Sequence, residues 1–177
     1  MKTSLVVATT AVLSALLVGF LTLFLFAPTG ALPTHYLTEP GDASNVAEDT
    51  EVLIVHCADA EMLHIAFGRG RAVHFVVCRG ICLSETIARS FGECRRLETI
   101  AFEDCTGCTP GVIGILAALE GIVSVQFARC ADLTDEGVVA FGHSPSLILV
   151  AVVDCSRVTA SQEITKGRPR VSVQTTK

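Results

Sequence analysis

Five cysteines, Cys57, Cys78, Cys105, Cys130 and Cys155, recur at separations of 21, 27, 25 and 25 residues in a chain of 177. A period in the twenties constrains a fold more than any local pattern. Each unit is then one supersecondary element whose apolar side only its neighbours can bury. Apolar residues stand five and three positions before every cysteine: Val52 and Ile54, Val73 and Phe75, Ile100 and Phe102, Val125 and Phe127, Val150 and Val152. That alternation predicts a short strand with one face in a core. A third apolar residue precedes the cysteine by eight in the later units, at Leu97, Ile122 and Leu147. Val171-Ser172-Val173 keeps the register, with Thr176 in the cysteine slot. Apolar residues at helical spacing between Ile87 and Cys94, and between Val112 and Leu119, predict returning helices. The outer units, about 21 residues long, are too short for a full helix. Polar stretches at Asp49-Thr50-Glu51 and Lys166-Gly167-Arg168 are placed to cap the two ends.

The strand Leu97-Glu98-Thr99-Ile100-Ala101-Phe102-Glu103-Asp104-Cys105, the run Leu133-Thr134-Asp135-Glu136-Gly137-Val138 and the helix end Cys94-Arg95-Arg96-Leu97 belong together. In this order they resemble the cysteine-containing class of leucine-rich repeats, the type that forms the repeat arms of F-box proteins. The resemblance covers about residues 51–176, and no F-box-like segment precedes it. It implies an α/β fold: a short leucine-rich-repeat solenoid of parallel strands with returning helices or turns, working by protein binding. The cysteines at 57, 78, 105, 130 and 155 are then structural. A small, polarizable thiol ends each strand and contacts backbone carbonyls.

Residues between the core positions face the other side of the strand. That places a candidate partner-binding surface on Val55, His74, Val76, Glu103, Asp104, Gln126, Arg129, Val153 and Asp154. Asp104, Arg129 and Asp154 fall at equivalent sites on successive strands about 4.8 Å apart, so an acid-base-acid row is expected. The valines make the same face unusually apolar, a mark of an interaction patch or of a surface covered by the chain's own ends.

Between Leu5 and Ala27 there is no charged residue. As a helix this segment is about 34 Å long, enough for a hydrocarbon core of about 30 Å. It predicts one transmembrane helix within an anchor at 1–32, with a cleaved signal peptide as the competing reading. The basic residue near it, Lys2, lies on its N-terminal side, which favours a luminal or extracellular body; cytosolic and mitochondrial settings stay open. Residues 33–50, rich in Pro, Gly, Asp and Ser without periodicity, predict a linker, and 51–177 the repeat domain.

Several function classes are disfavoured. The net charge is −5 and the lysines are Lys2, Lys166 and Lys177, so the dense basic footprint that nucleic acid requires is missing. The histidines show no H-E-x-x-H spacing, and Gly68-Arg69-Gly70 lacks the Lys-Ser/Thr of a phosphate loop. Cys105-x-x-Cys108 has zinc or redox spacing, but Cys105 already serves the repeat. The expectation is a single-pass membrane protein without cofactor or metal that recruits or holds a protein partner. The alternatives are an accessory subunit or assembly factor of a larger membrane complex, and a thiol or zinc enzyme.

Overall fold

A computed structural model describes residues 32–159 and 170–174. The uncharged segment 5–27, the stretch Lys166-Gly167-Arg168 and Thr176 lie outside them. Among the described residues seven strands form one sheet: β1 (Thr34–Leu37), β2 (Val52–Val55), β3 (Phe75–Arg79), β4 (Thr99–Glu103), β5 (Ser124–Ala128), β6 (Leu149–Val153) and β7 (Arg170–Gln174). Strand order follows chain order, and every neighbouring pair is parallel. Helices α1 (Ala60–Arg69), α2 (Glu85–Ser90), α3 (Pro110–Ala117) and α4 (Asp135–Ala140) occupy the four connections from β2 to β6. The protein is α/β with a parallel sheet. None of the described helices is long and apolar enough to cross a membrane.

The helices start where a side chain can replace the missing backbone acceptor. Asp59, Ser84, Thr109 and Thr134, spaced at 25 residues, accept from the backbone N–H three residues on: Met62 at 2.7 Å, Ile87 at 3.2 Å, Val112 at 3.4 Å and Gly137 at 3.3 Å. Thr159, at the next interval, donates its N–H and hydroxyl to the Asp135 carboxylate at 2.9 and 2.7 Å. The helices do not bury apolar stripes against solvent-facing loops; they pack on the sheet and on one another in sequence order.

In register, Leu53, Val76, Ile100, Val125 and Val150 form one inward row, and Val55, Cys78, Phe102, Phe127 and Val152 the next. All are at most 1% exposed and share a core with Leu63, Ile87, Ile113 and Val138 from the helices. Five phenylalanines run through it in contact, Phe67, Phe91, Phe102, Phe127 and Phe141, with ring centroids 5.2–6.1 Å apart. Such pairs add about 0.5–1.5 kcal/mol each beyond the area they bury.

The strand register corrects the cysteine-based one at its N-terminal end. The offsets Val55→Cys78→Phe102→Phe127→Val152 are 23, 24, 25 and 25 residues, not 21, 27, 25 and 25. Val52, Ile54 and Phe75, expected in the core, therefore face away from the helices, where Val52, Ile54, Val77 and Ala101 form a second small cluster. Val73 is buried, in the column of Leu97, Ile122 and Leu147. The first unit carries α1, ten residues long, although its length was expected to be too short for a full helix. It gains that space by shortening its corner: Asp59 caps the helix four residues after Val55, whereas Thr109 follows Phe102 by seven.

Residues 33–50 are not a linker. Pro33 O accepts from Glu51 and Val52, and β1 pairs with β2 along its length. Beyond β1 a 3-10 turn, Pro40–Asn45, is fixed by the Asp42 carboxylate, which accepts from Thr38 N–H (2.7 Å), Thr38 Oγ1 (2.8 Å) and Glu39 N–H (2.9 Å). These bonds hold the Asp42 carboxyl below its ordinary pKa. Ala43 and Val46 of this segment enter the core, so it covers the end of the stack at α1.

At Gly107 a side chain is excluded: φ is +74°, and a Cβ would meet the Leu83 carbonyl oxygen at 2.2 Å. Replacing Phe102 or Phe127 by Ala should cost about 3–5 kcal/mol, as for buried aromatics. Ala101→Ser, on the opposite face of the same strand, should cost well under half of that. Urea unfolding of the three variants measures the contrast, and equal losses would contradict the register.

Candidate functional site

The sheet face turned away from the helices changes character along the stack. Toward β1 it is apolar: Tyr36, 45% exposed, Val52, Ile54, Phe75 and Val77. Toward β4 and β5 it carries Thr99, Ala101, Ser124 and Gln126, which are small or polar. At the C-terminal ends of the strands the face is bounded by Arg79, Glu103, Ala128 and Val153 in one column.

The next residue in each strand forms a second column, Gly80, Asp104, Arg129 and Asp154, all in the left-handed region with φ between 53 and 64°. Their amides keep the ladder going: Gly80 N–H to Glu103 O, Asp104 to Ala128 O and Arg129 to Val153 O, each 2.9 Å. Left-handed backbone costs a non-glycine residue roughly 1–2 kcal/mol. It turns the chain sharply out of the strand and leaves these side chains on the rim.

On that rim the charges interlock. Arg129 donates Nε to Asp104 Oδ1 and Nη2 to Asp104 Oδ2, both at 2.8 Å, and Nη2 also to Glu103 Oε1. Arg79 Nε lies 2.8 Å from Glu103 Oε2, an ion pair too oblique for a hydrogen bond. Glu103, with its side chain 18% exposed, thus sits between two guanidinium groups. The fork-to-carboxylate geometry is the strong form of such a contact, although exposure of the two arginines limits its share of stability. The Arg129 hydrogen bonds hold the Asp104 carboxyl below the usual carboxylate range.

Of the residues expected on this face, Glu103, Gln126 and Val153 lie on it, and Asp104, Arg129 and Asp154 lie on its rim. The Asp104–Arg129 half of the expected row is formed. Val55 and Val76 are in the core at 0% exposure instead, because the first unit runs one residue, and the second three residues, out of step with its cysteine. His74 stands before β3 at the opposite strand end, its Nδ1 3.9 Å from Glu98 Oε1. Of the residues missed, Ile54, Val77 and Arg79 follow once β3 is aligned with Val77 opposite Ala101 rather than on Cys78, whereas Tyr36 is placed by the pairing of β1 with β2.

The same shift sorts the cysteines. Cys105, Cys130 and Cys155 do occupy one corner position, buried and bonded to carbonyls: Cys105 Sγ to Cys78 O (3.3 Å) and Glu103 O (3.4 Å), Cys130 Sγ to Phe102 O (3.6 Å) and Ala128 O (3.5 Å), Cys155 Sγ to Val153 O (3.6 Å). Ile81 holds that corner in the preceding unit, as its carbonyl, bonded to Thr106 N–H, shows. Cys78 lies inside β3 at the site of Phe102, and burial pushes its thiol well up in pKa. Cys57 is exposed and takes no part in the row.

No protein-family model matches the chain, and no curated protein matches it.

Two measurements test this geometry. In native protein a maleimide should modify Cys57 and Cys82, the exposed thiols, well before Cys78, Cys105, Cys108, Cys130 and Cys155, with half-buried Cys94 between them. Prompt reaction at Cys130 would contradict the row. Asp104, whose folded pKa is depressed, should stay ionised in the folded protein as pH falls through the ordinary carboxylate range, and its contribution to stability, full above that range, should decline progressively from there down to the folded pKa. Carboxyl-carbon NMR titration of wild type against Arg129→Ala, in which the depression should vanish, reads this directly.

Proposed function

We propose that the chain is a membrane-anchored leucine-rich-repeat protein whose sheet face and charged rim hold a protein partner. The observation that carries this reading is one surface that joins an apolar half, from Tyr36 to Val77, to the Arg79–Glu103–Arg129–Asp104 network. Protein interfaces favour this combination: an apolar centre for burial and forked charges at the edge for orientation. Consecutive parallel strands backed by helices, with the 25-residue interval of helix caps, support a repeat solenoid. Residues 5–27 serve as the transmembrane anchor, on the strength of their length and lack of charge.

Photo-crosslinkers placed at Tyr36 and Gln126 should capture a partner in native membranes, and those placed at Glu61 and Arg89, on the helical side, should not. Arg129→Glu should weaken capture about tenfold, roughly 1.4 kcal/mol, while circular dichroism stays unchanged. Carbonate extraction should release the chain only when 5–27 is deleted. Adducts from the helical side alone, or release of the intact chain, would contradict the reading.

A further inference from the structure

Cys105, Cys130 and Cys155 stand two residues beyond Glu103, Ala128 and Val153, which are paired on three successive strands. Parallel neighbours are about 4.8 Å apart, within the range of roughly 4.4–6.8 Å between Cα atoms that a disulfide spans. All three thiols are free and at most 1% exposed. Cys130 is the middle member, and its Sγ reaches across to the neighbouring strand, 3.6 Å from Phe102 O, three residues before Cys105. Its row ends on one side at Ile81, which has no sulfur.

We propose that this row is a site of reversible oxidation, in which Cys130 forms an intramolecular disulfide with Cys105 or Cys155. The oxidant is a low-molecular-weight disulfide such as oxidised glutathione. Two S–H bonds break and one S–S bond forms; the two electrons and two protons reduce the oxidant to two thiols. Exchange proceeds through a mixed disulfide after local opening of a corner, since the sulfurs are shielded in the closed fold.

Geometry makes the bond labile rather than structural. Side chains at equivalent positions of neighbouring parallel strands leave side by side, so their Cβ atoms stay near the strand spacing, above the roughly 3.5–4.5 Å that a relaxed disulfide prefers. Closing the bond therefore requires the corners to shift, and a strained disulfide has a more oxidising potential and reopens readily. The shift falls on Asp104 and Arg129, the left-handed residues directly before Cys105 and Cys130, and so couples the buried row to the rim.

The test uses the full chain in mild detergent, held in oxidised glutathione, alkylated and digested with trypsin. Mass spectrometry should find a bridge from peptide 97–129 to peptide 130–157, placed by fragmentation at Cys105, or loss of two hydrogens within 130–157. Excess reduced glutathione should reverse it. The double variant Cys57→Ala/Cys82→Ala should oxidise as the wild type does, and Cys130→Ala should lose the bridge. Bridges confined to Cys57, Cys82, Cys94 or Cys108, no bridge in the row, resistance to reduced glutathione, or an unchanged bridge in Cys130→Ala would each overturn the proposal. Should Cys130→Ala fail to fold, the peptide map of the wild type and of the double variant still decides it.

Discussion

No single strand and helix of this chain can bury its own apolar side; each depends on the next. Leu53, Val76, Ile100, Val125 and Val150 lie in one row only because parallel pairing holds five strands in one register. A slip of one residue in any strand would move its whole set of apolar side chains to the opposite face. The phenylalanine line from Phe67 to Phe141 works in the same way, since each ring rests on a ring from a neighbouring element. Register is therefore the quantity on which core, corner and rim all depend.

The register is fixed most firmly where the units are 25 residues long. There the cysteine, the helix cap and the strand repeat together, and those units could be read from the amino acids: the cores of β4, β5 and β6, the thiol corner and the outward Glu103, Gln126 and Val153 came out as expected. The N-terminal units could not be read in this way. Cysteine was a good marker of the corner only while the corner was the sole place where one occurred. In β3 the same residue fills a strand position that Phe102 takes in the next unit, since a thiol can substitute for a small apolar side chain. Alignment on Cys57 and Cys78 then exchanged the two faces for Val55 and Val76. The strand β1 escaped notice for a different reason: four residues, Thr34–Leu37, alternate too briefly to stand out, and their place is set by Val52–Val55 alongside.

The ends of such a stack raise a problem that the interior does not have. At β2 the helix α1 would expose one flank, and the segment after β1 meets it with Ala43 and Val46. Asp42 makes that small covering piece rigid by satisfying three donors at once. What composition suggests is a linker is thus a cap, because capping residues must be polar outside and sparingly apolar inside.

The column Gly80, Asp104, Arg129 and Asp154 bears most directly on function. A backbone turn with positive φ is easiest for glycine, and the unit of β3 uses it at Gly80. The following units accept a cost of about 1–2 kcal/mol each and place two carboxylates and a guanidinium there instead. Aspartate tolerates this conformation moderately well, whereas arginine has no such excuse, so folding alone does not explain Arg129. Its fork binds Asp104 and Glu103, yet exposed ion pairs return at most about 1 kcal/mol. The local balance is close to zero or unfavourable. Strain kept without a stability return is the kind of feature found where a surface has to present a particular group in a particular direction. For the partner-holding role proposed above, that argues for the rim, more than for the apolar patch beside it, as the selective part of this face.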